Sequence, residues 1–201
     1  MKILAIAGSS RKNSNTDNFL DLFLENFNLK NEDITYLTLK DLDYSYCISC
    51  YGCAKVPRCI LKDDLTDIYP IIEESDMIIF STPIYFNSVS SISKSFIDRM
   101  QVYWSRKFLL KLPPIKEKFG ICLINGGAKY TEEQFLGSEL VFDHFLKVTS
   151  CKNHLTLKVS NTDENPINSE NEDFIRFLNS INLDFNARKS YVLKEKNYGN
   201  K

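Results

Sequence analysis

Four cysteines stand close together as Cys47-x2-Cys50-x2-Cys53-x5-Cys59, a density that packing does not require. Thiolates so near in sequence can wrap one inorganic core, and four of them are what a [4Fe-4S] cube takes. The run differs from the two-cluster pattern C-x2-C-x2-C-x3-C-P, whose fourth cysteine serves another cluster. Here the longer last spacer, with Pro57 inside it, lets Cys59 return to the same core, and Gly52 eases the turn between ligands. Zinc is one alternative, although structural zinc sites favour two separated pairs. A regulatory disulfide or unligated thiols are another. Cys122 and Cys151 read as buried apolar residues, and His144 and His154 show no metal or triad spacing.

A second chemical feature is Gly8-Ser9-Ser10-Arg11-Lys12-Asn13-Ser14-Asn15-Thr16. Placed between a strand and a helix, its backbone N–H groups converge where an anion would sit. Ser9, Ser14, Asn15 and Thr16 can donate to phosphate oxygens, and Arg11 supplies a planar charged fork. The stretch is neither G-x-x-x-x-G-K-[ST] nor G-x-G-x-x-G, so ATP and a conventional dinucleotide lose weight. The plainer alternative is a helix cap at Ser14 or Asn15.

The elements that must position these groups follow from apolar periodicity. The chain has 201 residues, 43% hydrophobic and 25% charged, which suits a single globular domain over 1–201 with a cysteine-rich insertion at about 41–62. Its 25 basic and 26 acidic side chains leave a net charge of −1, which argues against nucleic acid or an anionic membrane as partner. The first apolar run is too short for an export signal, and no stretch approaches a spanning helix. A cytoplasmic protein with reduced thiols is expected.

Short, nearly continuous apolar runs at 3–7, 77–81 and 120–125 predict strands covered on both faces. Residues 34–39 and 154–159 complete a set of five. Thr82 and Pro83 are expected to stop the third strand. Helices are predicted from Asn15 through Phe27, from an Asp64 cap through Ile72, from Ile92 past Trp104, and over 135–145. A last helix carries Phe174 to Ile181 behind a capping box of Ser169 and Glu172. Residues 161–172 read as a connection, residues 197–201 as a fraying end, and Asp98 and Arg99 as a local pair or cap. Trp104 and Arg106 could line a substrate or subunit surface. The alternation predicts an α/β fold with a doubly wound five-stranded parallel sheet, order 2-1-3-4-5, in three α/β/α layers. Ligands of such sheets sit beyond the carboxyl ends of the strands at the switch point, here after Ala7, Ser81 and Asn125.

On these residues the chain resembles the flavodoxin-like NAD(P)H-dependent FMN reductase superfamily. GSSRKNSNT is similar to its phosphate loop, G-S-x-R-x-x-[GS]-[NS]-[ST]. Thr82-Pro83-Ile84-Tyr85-Phe86-Asn87-Ser88 resembles its s-P-x-Y-x-x-s segment, with Lys94 and Ile97-Asp98-Arg99 like its K-x-x-[IL]-D-R. Asn125-Gly126-Gly127 matches its third flavin-contacting turn. The resemblance implies FMN, with its phosphate on Ser9, Arg11, Ser14, Asn15 and Thr16 and its ring beside Pro83, Ile84, Tyr85, Phe86, Asn87, Ser88, Asn125, Gly126 and Gly127. Ile84, Tyr85 and Phe86 would offer the apolar wall an isoalloxazine needs.

The cysteine run, followed by Asp63-Asp64, is similar to the compact motif of the iron-sulfur flavoproteins, C-x2-C-x2-C-x4-7-C. That likeness implies a [4Fe-4S] cluster on Cys47, Cys50, Cys53 and Cys59 exchanging electrons with FMN in a homodimer or homotetramer. A ferredoxin or NAD(P)H would be the donor, and a quinone, oxygen or peroxide the acceptor. Two alternatives stay open: a cluster-free NAD(P)H-dependent FMN or quinone reductase, and a zinc-bearing redox-sensing or nucleotide-binding module.

Overall fold

An apolar run that must hide both faces belongs at the centre of a sheet, and β1 (Lys2–Ala7) lies there, between β2 (Asp33–Thr38) and β3 (Met77–Tyr85). The computed structural model describes residues 1–194; the expected fraying at 197–201 lies outside them. Beyond β3 come β5 (Lys118–Asn125), β6 (Cys151–Val159) and β7 (Lys189–Leu193), all parallel, in the order β2-β1-β3-β5-β6-β7. The first five of these follow the expected 2-1-3-4-5 order. The sheet gains β7 at its edge and a short antiparallel β4 (Ser88–Val89) on β3.

Alternation along the strands sorts side chains to two faces. Leu4, Ile6, Ile78, Phe80, Cys122 and Ile124 pack under α2 (Leu65–Glu74), α3 (Ser91–Arg99), α4 (Gln101–Phe108) and α5 (Leu136–Val148). Ile3, Ala5, Ile79, Ile121 and Leu123 pack under α1 (Asn15–Asn26) and α6 (Glu172–Ser180). Phe19, Leu20, Phe23 and Leu24 form the buried stripe of α1, as their spacing predicts. Among the described residues no helix is long and apolar enough to cross a membrane.

Four local expectations change. β3 does not stop at Thr82–Pro83: the extension finds partners in β5 as far as Asn125 and then in β4, so its backbone stays paired. The helix from Ile92 breaks at Met100 into α3 and α4. Asp64 makes no side-chain cap on α2; Asp63 Oδ1 accepts from Leu65 N at 3.2 Å instead. At α6 the cap is Asn171, accepting from Phe174 N, rather than Ser169.

Candidate functional site

The loops after β1, β3 and β5 leave the same end of the sheet and are laced together by hydroxyl groups. Gly8 N donates to Ser81 O at 2.8 Å, and Gly8 O accepts from Ser90 Oγ at 2.6 Å and Ser93 Oγ at 3.2 Å. Thr82 Oγ1 lies 3.0 Å from Ser93 Oγ, and Ser81 Oγ donates to Thr16 O at 2.8 Å. A Cβ on Gly8 would overlap Ser93 Oγ, so glycine is needed there for close approach. Each of these hydroxyls is buried with its partner, as polar groups in a core must be.

In the first loop Ser9 is buried and its Oγ accepts from Arg11 N at 3.1 Å, while Arg11 itself is exposed. Ser14 caps α1, its Oγ accepting from Asp17 N and Asp17 returning a carboxylate to Ser14 N. Asn15 spans the loop after β6: its Nδ2 donates to Thr162 O and its Oδ1 accepts from Ile167 N at 2.7 Å. Thr16 Oγ1 donates to Asn125 Oδ1 at 2.8 Å, which joins the first loop to the third. The cap reading and the anion reading are compatible, because a capped helix start still presents backbone N–H groups.

In the third loop, Gly126 is crowded by Ile84 and Gln134; a Cβ there would stand 2.8 Å from Ile84 Cδ1. Gln134 is buried, donates Nε2 to Ala128 O, and keeps an Oε1 without a partner. Ile84 is thus the wall residue that meets the Gly126 turn. Tyr85, Phe86 and Asn87 are exposed at the tip of the β3–β4 hairpin, where Phe86 and Asn87 hold φ of 49° and 58°, the left-handed pair of a two-residue turn.

The cysteine segment leaves the carboxyl end of β2, at the same end of the sheet. All six cysteines are free; Cys47, Cys53 and Cys59 are half-buried and Cys50 is exposed. Cys47, Cys50, Cys53 and Cys59 line one cavity of about 440 Å³ together with Arg99 and Trp104. Cys53 Sγ lies 3.3 Å from Ser105 Oγ. Left-handed Ser49 and Tyr51 make the turns between cysteines. Gly52 does not: it has no positive φ, and its lack of a side chain makes room for Ile60, whose Cγ2 would be 2.5 Å from a Cβ. Among the described residues no group of three or more His, Cys, Asp or Glu is gathered so as to hold a metal ion. Cys122 and Cys151 are buried as expected, and burial pushes the Cys151 thiol up to about 11.

Asp98 and Arg99 do not pair with one another. Asp98 pairs with Lys94 one helical turn away, and Arg99 turns inward to Asp63, Nη1 at 2.6 Å from Oδ2 and Nη2 at 3.0 Å from Oδ1. Arg99 Nη1 also donates to Ser45 O at 2.8 Å. Periodicity missed this fork because the partners are 36 positions apart; the adjacency of Asp63 to the cysteine run was its only signal. Arg106, by contrast, donates to Pro113 O at the surface.

Burial works against the Asp63 carboxylate, but the Arg99 guanidinium and the N–H groups of Ser45 and Leu65 more than offset it and hold its pKa below the ordinary value. The pair therefore contributes stability in full above the ordinary carboxylate pKa and loses it as pH falls through the lower folded value. Urea unfolding from about pH 6 to about pH 3 is expected to show the gap between wild type and Asp63→Asn narrowing toward acid. A gap independent of pH would count against the pairing.

Residues 1–129 match the family model described as NADPH-dependent FMN reductase. The chain is 32% identical over 120 residues to an iron-sulfur flavoprotein of Archaeoglobus fulgidus, covering 60% of this chain and 52% of that one. It is 36% identical over 109 residues to an iron-sulfur flavoprotein of Clostridioides difficile, covering 53% and 48%. The chain thus spans about half the length of these two relatives. An NAD(P)H:quinone oxidoreductase from Methanothermobacter marburgensis superposes with a TM-score of 0.62 at 16% identity, covering 89% of this chain and 91% of that one, a likeness of fold.

Proposed function

Because the chain belongs to the NADPH-dependent FMN reductase family, we propose that it is a flavin-dependent oxidoreductase of the iron-sulfur flavoprotein kind, with FMN on the three laced loops and a [4Fe-4S] cluster on Cys47, Cys50, Cys53 and Cys59. The observation that carries the cluster is that all four free thiols line one cavity at the flavin end of the sheet. Soft thiolates suit iron-sulfur chemistry. Structural zinc sites usually draw their ligands from two separated pairs, which this overlapping run does not offer.

The polar groups present fit FMN. Arg11 and the backbone N–H groups at the start of α1 would meet the phosphate, with Ser9 and Ser14 beside them. Asn15 and Thr16, whose side chains are engaged with the loops after β6 and β5, would hold that cradle in shape. Residues 83–88 and Asn125, Gly126 and Gly127 would flank the ring.

When bound, the cluster supplies single electrons and the flavin one or two, so the pair can couple a one-electron donor to a two-electron acceptor. The chain's own part is to position both groups. No side chain is required as general acid or base. The donor would be a ferredoxin or NAD(P)H, the acceptor a quinone, oxygen or peroxide, and the assembly a cytoplasmic homodimer or homotetramer. The named likeness to a family of NADPH-dependent FMN reductases favours a second reading, in which nicotinamide reduces FMN and no cluster is present.

Anaerobic purification followed by iron, sulfide and flavin analysis tests the choice. Flavin bands with a broad shoulder near roughly 400 nm and about four irons per chain are expected. Flavin without iron would select the second reading, and neither would overturn both.

A further inference from the structure

Arg99 is the bulkiest fully buried side chain among the described residues, and it stands in the wall of the cysteine cavity. A buried guanidinium is expensive unless something uses it. One use is mechanical: Nη1 holds Ser45 O, two residues before Cys47, while Nη1 and Nη2 together hold Asp63, four residues after Cys59. The side chain is 1% exposed, so its charge is surrounded by protein rather than by water.

We propose that Arg99 is a positioning residue for the cluster, tying the two ends of the cysteine segment together and placing its charge behind the cavity wall so that the reduced state is favoured. The inference rests on the cluster reading above. Adding an electron makes an iron-sulfur centre more negative, and a fixed cation in a poorly hydrated wall lowers the energy of that state more than water would. Net charge and hydrogen bonds to sulfur are the levers by which a protein sets such a potential. Asp63 partly cancels the same charge, so removing one partner and removing the other must act in opposite directions.

The test uses the full chain, reconstituted anaerobically, as wild type, Arg99→Gln, Arg99→Lys and Asp63→Asn. Iron, sulfide and flavin are assayed, and the cluster couple is titrated by electron paramagnetic resonance. Arg99→Gln is expected to shift the equilibrium about tenfold toward the oxidised cluster, 59 mV for one electron. Arg99→Lys, which keeps the charge but not the fork, shifts it about threefold the same way. Asp63→Asn shifts it toward the reduced cluster. If Arg99→Gln does not fold, the opposed shifts are read from Arg99→Lys and Asp63→Asn.

Loaded variants whose couples stay within about twofold of wild type, or shift in one common direction, would overturn the role. Folded Arg99→Lys and Arg99→Gln that both lack iron would overturn the charge role and leave the tie alone. Wild type with flavin and no iron would instead remove the cluster reading, and this inference with it.

Discussion

Cys50→Ser is expected to lower iron from about four per chain to near none while leaving flavin content unchanged. A hydroxyl is a poor ligand where a soft thiolate is required, and a cube with three protein ligands is exposed to loss. Cys50 is the most open of the four thiols, so the substitution removes a ligand without leaving a buried hole. Flavin should persist because the two sites share no wall: no residue of the three laced loops lines the cysteine cavity. Iron and flavin assays on the same anaerobic sample give the answer. Joint loss of both would show that the two sites are not built separately.

Phe80→Ala is expected to cost about 3–5 kcal/mol of folding stability, a large part of the roughly 5–15 kcal/mol a domain has. Phe80 is fully buried, and its ring meets Phe142 at 5.2 Å, Phe145 at 5.7 Å and Phe96 at 5.8 Å, all edge to face. Three other rings, on α3 and α5, would thus face one void and could close it only by moving helices. The same ring also backs the first loop, its Cε2 standing 3.0 Å from where a Gly8 Cβ would be. Flavin affinity should therefore fall along with the urea midpoint. A loss below about 1 kcal/mol would mean that the site collapses freely, contrary to a close-packed core.

The parts of the molecule legible in the amino-acid order are those set by short-range pattern. β1 and β5 announce themselves because strands hidden on both faces must be apolar throughout, and α1 because Phe19, Leu20, Phe23 and Leu24 recur on one side. β7 was missed because an edge strand needs little burial: its residues are at most half-buried, so KSYVL carries no strong signal. Pro83 read as a stop because its own conformation argues for one; pairing with β5 and then β4 keeps the strand going. Among candidate site residues, the cysteine spacing was plain, whereas the Arg99–Asp63 fork and the Gly8 hydroxyl lacing depend on groups brought together by tertiary structure. Asn15 shows the mixture: its place in the loop was evident, its grip on residues 162–167 was not.

The cysteine segment begins and ends at one spot, for Asp43 N donates to Asp64 Oδ2 at 2.7 Å across 21 positions and Asp64 N returns a bond to Asp43 O. A loop whose two feet touch places no demand on the distance between the strand before it and the helix after it, so its length is free to vary without moving either.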